Sequence, residues 1–364
     1  MIFEIDAGEL KNAVAIASKA VATKTARPVL LNVLIDANGD KVKIVGTDQE
    51  VMQIVEVAAD VQKCGKITAP AKLLLELISG LPSDLLFPVR VELINDELQL
   101  TAGKSVFSVR TLDADDYPPI PDVDGLVEIK GSELAHAIKR GGIAASTEDG
   151  NPVQKSVLVD FSEVPIVVST DSKRLAANKI TIDAPEGMKE PFIVPIRAVK
   201  EVIAMLTGAD MVKIGKFKEQ LVFQREGVTF ITRMVDGVFP KWERVMPKEH
   251  AIEAVFFRKE FAQAVKSLMP IARNNSNMVN LDFANNSIKL WSKSNDNGKA
   301  ESTIDCKLTG EPINIAFNAS FLTDFLGAVN CDECSVKMTT PSYPALFESI
   351  DDEPLQAVLM PLSY

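Results

Sequence analysis

The sequence is poor in the residues that covalent and metal chemistry require. Its 364 residues include four cysteines and two histidines. Four cysteines do not make a disulfide framework, and they suit a reducing compartment. His136 and His250 lie far apart in the chain. Cys331-Asp332-Glu333-Cys334 has CxxC spacing, but zinc would need a second ligand pair, and a thiol redox site would need a βαβ context. The sequence offers neither. Gly103-Lys104-Ser105 imitates the tail of a phosphate-binding loop, yet Leu98 stands where the earlier glycine is required. No nucleophile elbow or paired-carboxylate motif stands out. The expectation is therefore no catalytic residue, no metal, no cofactor and no enzyme. No apolar run approaches the roughly 18 residues of a membrane span. The start, Met1-Ile2-Phe3-Glu4-Ile5-Asp6, lacks the basic and apolar segments of a secretory signal, so a cytoplasmic location is expected. Positive charge is also short. Lysine and arginine number 39 against 50 acids, a net charge of −11. That argues against a bulk electrostatic grip on nucleic acid, though not against basic residues gathered on one surface.

What the chain does have is repetition. Glu4-Ile5-Asp6-Ala7-Gly8-Glu9-Leu10 is answered by Glu128-Ile129-Lys130-Gly131-Ser132-Glu133-Leu134 and by Val255-Phe256-Phe257-Arg258-Lys259-Glu260-Phe261. The anchoring glutamates stand 124 and 127 residues apart. A second landmark keeps the step: segments opening at Pro70, Pro195 and Asn318 are 125 and 123 residues apart. Two landmarks with one period indicate a triplicated domain, each copy long enough for its own core. Proline-bearing segments near Pro118 and Pro247 suggest domains at residues 1–122, 123–247 and 248–364.

One copy reads as α+β, with two helices and about eight strands. In the first, residues 9–22 read as an alanine-rich helix without internal glycine or proline. A second helix opens at Pro70 and runs to about Ser79. Strands alternate in polarity around Asn38-Gly39 and Asn95-Asp96, which are turn signals. Glu226-Gly227 and Asn285-Asn286 serve the same purpose in the later copies.

The first helix of each copy is two-faced. Lys259, Gln263 and Lys266 oppose Phe261, Val265 and Leu268. His136, Lys139 and Arg140 share an arc away from Leu134 and Ile138. Lys11, Ser18 and Lys19 oppose Leu10, Val14 and Val21. The second helices add Lys72, Arg197 and Lys200. Taken singly, each basic face fits an ordinary solvated surface. Three equivalent helices also fit a repeated wall presented to one partner.

Three motifs carry a family resemblance: Thr170-Asp171-Ser172-Lys173-Arg174-Leu175-Ala176, Val238-Phe239-Pro240-Lys241-Trp242-Glu243-Arg244-Val245-Met246-Pro247, and the terminal Val358-Leu359-Met360-Pro361-Leu362. Together they closely resemble the bacterial DNA polymerase sliding clamp family, the beta subunit of the replicative holoenzyme. The likeness runs the length of the chain. It implies three similar domains, and a homodimer closed head to tail into a ring that encircles double-stranded DNA and tethers the replicative polymerase. It also implies sequence-independent phosphate contacts, for which Lys24, Lys72, Lys139, Arg140, Arg197, Lys200 and Lys266 are the candidates. Phe107 and Val109 would meet the partner's Pro270 and the partner's Ile271. The clamp loader, polymerases and repair proteins would dock through short Leu- and Phe-bearing peptides. Their pocket would comprise Val153, Thr170, Ser172, Arg174, Leu175, Pro240, Arg244, Val245, Asn318, Phe321, Val358, Met360, Pro361 and Leu362.

The chain departs from the family pattern at the rim of that pocket. Ser172-Lys173 replaces a usual Gly-His, Phe321 replaces an aromatic hydroxyl, and Lys241 stands where an acidic or polar residue is common. Two other functions remain open on the sequence: a clamp-fold scaffold that does not encircle DNA, and an enzyme built on repeated α+β domains.

Overall fold

The computed structural model describes residues 1–81, 87–294 and 298–362. One succession of elements occurs three times, except that the first copy has one extra strand, Asp60–Lys63. The first copy runs β1 (Ile2–Ile5), α1 (Ala7–Ser18), β2 (Asn32–Asn38), β3 (Lys41–Thr47), β4 (Val51–Ala58), β5 (Asp60–Lys63), β6 (Gly65–Pro70), α2 (Ala71–Ser79), β7 (Val89–Ile94), β8 (Glu97–Ala102) and β9 (Ser105–Arg110). The second runs β10 (Val127–Lys130), α3 (Gly131–Gly141), β11 (Ser156–Asp160), β12 (Ile166–Thr170), β13 (Arg174–Lys179), β14 (Phe192–Pro195), α4 (Ile196–Leu206), β15 (Met211–Phe217), β16 (Gln220–Arg225) and β17 (Val228–Arg233). The third runs β18 (Ile252–Phe257), α5 (Arg258–Ala272), β19 (Met278–Ala284), β20 (Ser287–Ser294), β21 (Gly298–Thr309), β22 (Ile313–Asn318), α6 (Ala319–Ala328), β23 (Glu333–Met338), β24 (Ala345–Ser349) and β25 (Gln356–Leu359).

The hairpins turn where the sequence says they should. Asn95 and Asp96 have φ of 48° and 63°, Asn285 and Asn286 have 52° and 55°, and Glu226-Gly227 has 44° and 76°. Two successive left-handed residues make the turn whose twist matches a hairpin, and asparagine, aspartate and glycine adopt it at least cost.

Helix α1 begins and ends earlier than the expected 9–22. The Asp6 carboxylate accepts the Glu9 N–H at 3.0 Å, which satisfies a donor of the first turn and fixes the start. After Ser18 the chain tightens, and Ala22 donates to Leu30 O at 3.0 Å, outside any helix. Gly46 on β3 lies directly against that end: a Cβ there would stand 1.9 Å from Ala17 O.

By contact the chain forms two units, residues 1–129 with 209–233 and residues 130–208 with 234–364. The first holds a five-stranded sheet, β5-β1-β7-β8-β9, and an eight-stranded sheet, β10-β15-β16-β17-β4-β3-β2-β6. Helices α1 and α2 pack together there over Phe3, Leu10, Val14, Ile44 and Leu74. The second unit holds one sheet of twelve strands, β14-β11-β12-β13-β25-β24-β23-β18-β21-β20-β19-β22. Its largest core is phenylalanine-rich, with Phe317 edge-on to Phe347 at 5.4 Å and Phe256 stacked on Phe261 at 4.4 Å.

Each large sheet is a fusion of two copies. In the first unit β4 pairs antiparallel with β17, and Met52 lies opposite Ile231. In the second β13 pairs antiparallel with β25, and Leu175 lies opposite Val358. The two junctions agree in detail. Gln49 and Ser172 hold the same turn position with φ of 78° and 74°. Arg233 N–H donates to Glu50 O at 2.9 Å, as Met360 N–H does to Lys173 O at 3.0 Å.

Candidate functional site

The second junction gathers most of the expected pocket. Leu175 and Val358 form its floor, buried with Leu158, Val168, Ile193 and Leu346. Phe239, Trp242 and Met246 pack against this floor. Their segment carries Pro240, Arg244 and Val245 exposed, with Val245 47% accessible. Val153 is buried, and a Cβ at Gly237 would come within 2.8 Å of it, so that loop is held close. Gln154 Nε2 donates to Ser172 Oγ at 2.5 Å. Thr170 Oγ1 donates to Arg174 O at 2.8 Å and braces the turn into β13. Beyond β25, Met360 is 41% accessible and Leu362 N–H donates to Ala316 O at 2.8 Å. Asn318 caps α6 through the Ser320 N–H at 2.9 Å, so its side chain serves the helix. Pro361 and Phe321 are half-buried.

Arg174 is the polar centre. Its guanidinium lies 4.3 Å above the Phe321 ring, a cation–π contact. Nε donates to Asp171 at 2.9 Å and Nη1 to Asp324 at 2.5 Å. Neither acid was expected from the sequence. Asp171 stands within the Thr170–Ala176 motif, and Asp324 lies one helical step from Phe321. Their shared arginine 150 residues away from Asp324 has no sequence signal. The first junction repeats the backbone without this chemistry. A cavity of about 330 Å³ lies there over Met52, Ile231 and Pro118, but Val51 occupies the place of Arg174.

Of the basic residues, Lys24, Lys72, Lys139, Arg197, Lys200 and Lys266 are exposed. Arg140 is not. It is 3% accessible, donating from Nη2 to Ser349 Oγ at 2.9 Å and Asp351 Oδ2 at 3.0 Å. The DNA-facing role expected for it is therefore corrected to a buried tie between α3 and the turn after β24. The wheel gave its direction, but not the acid that covers it. Val109 is likewise corrected. It is 1% accessible in the core of its own copy, so its side chain has no surface to offer a second chain. Phe107, on the same face of β9, is half-buried against that core. Pro270 is exposed near the end of α5, and Ile271 is half-buried.

Cys331 and Cys334 are buried with sulfurs 3.6 Å apart, and burial drives the Cys334 thiol upward, away from the thiolate that redox or metal chemistry uses. Among the described residues no group of three or more His, Cys, Asp or Glu could hold a metal ion. No described helix is long and apolar enough to cross a membrane.

Three family models match in succession. The N-terminal domain of the DNA polymerase III beta subunit matches residues 1–121, its central domain 128–241 and its C-terminal domain 243–363. A beta sliding clamp from Vibrio cholerae is 27% identical, covering 100% of both chains. One from Bacillus subtilis is 28% identical over 100% of this chain and 99% of its own. The solved sliding clamp of Bacillus subtilis superposes with a TM-score of 0.93 at 27% identity, covering 100% of this chain and 99% of that one. A sliding clamp from Pseudomonas aeruginosa bound to griselimycin gives 0.92 at 26% identity, covering 100% of both.

Proposed function

The chain belongs to the DNA polymerase III beta-subunit family, and from that premise we propose that it is a DNA sliding clamp that catalyses no reaction of its own. Two copies close into a ring around duplex DNA, and the ring tethers the replicative polymerase. The observation that carries this reading is the repeated junction. Copy joins copy twice by the same antiparallel edge pairing, β4 with β17 and β13 with β25. The corresponding third pair is left over. Among the described residues strand β9 pairs only with β8, and the first eight residues of β21, 298–305, pair only with β20. Unpaired strand edges are templates for another chain. Two copies related head to tail would satisfy both edges at once, and only a closed arrangement avoids filaments. In that contact Phe107 of one protomer lies near the partner's Pro270 and the partner's Ile271.

Enclosure removes the need for a tight grip. Exposed lysines and arginines on the helices give weak, sequence-blind phosphate contacts, which permit sliding. The cleft at the second junction docks short Leu- and Phe-bearing peptides from the polymerase, the clamp loader, and other polymerases and repair proteins. Burying each anchor is worth about 1.5–3 kcal/mol. Two or three anchors, less ordering costs, correspond to roughly micromolar affinity, a strength suited to partners that exchange. Three tandem domains of the boundaries suggested by the proline-bearing segments, acting in the cytoplasm, complete the reading. Its test is retention on DNA after loading: the protein should stay on a nicked circle and leave when the circle is linearised. A persistent monomer at micromolar concentration, or equal loss from both DNAs, would overturn it.

A further inference from the structure

We propose that Asp324 sets the charge preference of the peptide cleft, so that the cleft favours peptides with a neutral or basic side chain beside the apolar anchors over otherwise identical acidic ones. The inference rests on the docking role given above to the second junction. Phe321 and Asp324 are three residues apart on α6 and so share a helix face. From that face the ring underlies the Arg174 guanidinium at 4.3 Å, and the Asp324 carboxylate accepts from Nη1 at 2.5 Å.

An arginine beside an apolar cleft reads as a receptor for an acid, but this one is already engaged. Asp171 takes Nε at 2.9 Å, while its other oxygen accepts the backbone N–H groups of Lys173 and Arg174 at 2.9 and 3.0 Å. The side chains of Arg174 and Asp171 are each 12% accessible. That of Asp324 is 45% accessible and is the part of the triad a visitor meets. Two carboxylates and one guanidinium leave a local charge of −1, and its exposed share sits on Asp324. A peptide carboxylate must displace Asp324 or share the guanidinium with two acids. An amide or an ammonium meets no such repulsion. Lys173, Lys241, Glu243 and Arg244 are exposed on the neighbouring segments. They act alike in the wild-type chain and in Asp324→Asn, so the change in the Gln-to-Glu ratio between the two proteins isolates Asp324.

The test uses pairs of synthetic peptides with leucine and phenylalanine anchors, each pair differing only by Glu or Gln at one flanking position. Each is titrated into the full chain and into Asp324→Asn by calorimetry at low salt. At the position that discriminates most, the wild-type chain should bind the Gln peptide about threefold more tightly than the Glu peptide. In Asp324→Asn the ratio should fall to about one or invert, because the freed guanidinium can then receive the acid. An unchanged ratio overturns the proposal. So does an equal loss of both peptides, which would leave Asp324 only a part in packing Arg174. If neither peptide binds the wild-type chain, the docking reading falls and this inference with it. If the Gln peptide binds and the ratio fails to move, the inference alone falls.

Discussion

Arg140 and Arg174 are two arginines drawn out of solvent by carboxylates, yet their removal should read out differently. Arg140 is buried and ties α3 to Ser349 and Asp351. Arg140→Ala leaves Asp351 without its cation, keeping only the Ser349 hydroxyl at 3.1 Å, and opens a void beside it. Breaking a fully buried pair costs about 3–5 kcal/mol. The Asp351 side chain is 27% accessible, so water recovers part of this, and a loss of about 2 kcal/mol is expected. Denaturant unfolding should show that loss, with retention on circular DNA unaltered. Arg174→Ala should spare the fold and the dimer but weaken peptide binding about tenfold, because the cleft loses the cation over Phe321 and keeps two acids. Calorimetry together with sedimentation separates the two effects, and unchanged peptide affinity would refute the placement of the cleft. Tyr117 gives a test in pH. Its phenol is buried and donates to Val45 O at 2.9 Å, and burial pushes its pKa far up. The folded chain therefore keeps this proton after the unfolded chain begins to lose it near pH 10. Stability from this group is complete below about pH 10 and falls as pH rises beyond it. Tyr117→Phe should cost about 1 kcal/mol at neutral pH through the lost hydrogen bond, and the gap from wild type should close above pH 10.

At the scale of elements, local chemistry was legible and coverage was not. Asn95-Asp96 and Asn285-Asn286 mark hairpins because their side chains tolerate positive φ, a property of the residues themselves. The apolar faces of α1, α3 and α5 emerge as Leu10, Leu134 and Phe261 because helical periodicity fixes direction. The end of α1 was misplaced because after Ser18 the chain turns away to bond Leu30, with Gly46 packed against Ala17, and nothing in residues 9–22 encodes those neighbours. Arg140 was misassigned for the same reason, since Asp351 lies 211 residues on. Val109 could be placed on β9 but not on a face until the pairing with Leu98 put it over the core. Thr170 through Leu175 could be picked out as a motif, whereas the carboxylate that α6 brings to Arg174 could not. The tail beyond β25 is the element that fuses these parts, through Met360 to Lys173 and Leu362 to Ala316. Deleting residues 360–364 should therefore abolish measurable peptide binding while leaving the dimer's sedimentation unchanged, since β25 ends at Leu359. A dimer that dissociates on this deletion would place the tail in the wrong contact.

For the whole molecule the puzzle is a DNA-associated protein with a net charge of −11. A protein held by phosphate contacts loses affinity steeply with salt, by a slope of about 0.9 per neutralised phosphate. A protein held by enclosure does not, because salt weakens contacts without opening a ring. The acidic surplus is then harmless to retention and discourages binding elsewhere on the surface. Exposed Lys24, Lys72 and Lys200 lie on or beside helices in two different copies, so each would contribute separately. The triple change of these lysines to glutamine should lower the salt slope of direct binding to linear DNA by about one unit per lysine that touches a phosphate. On nicked circles loaded by the loader, wild type and triple variant should remain for similar times, with raised salt shortening both only slightly. Should salt release the protein from circles as quickly as from linear DNA, contacts rather than threading would be holding it, and the free edges of β9 and β21 would need another purpose.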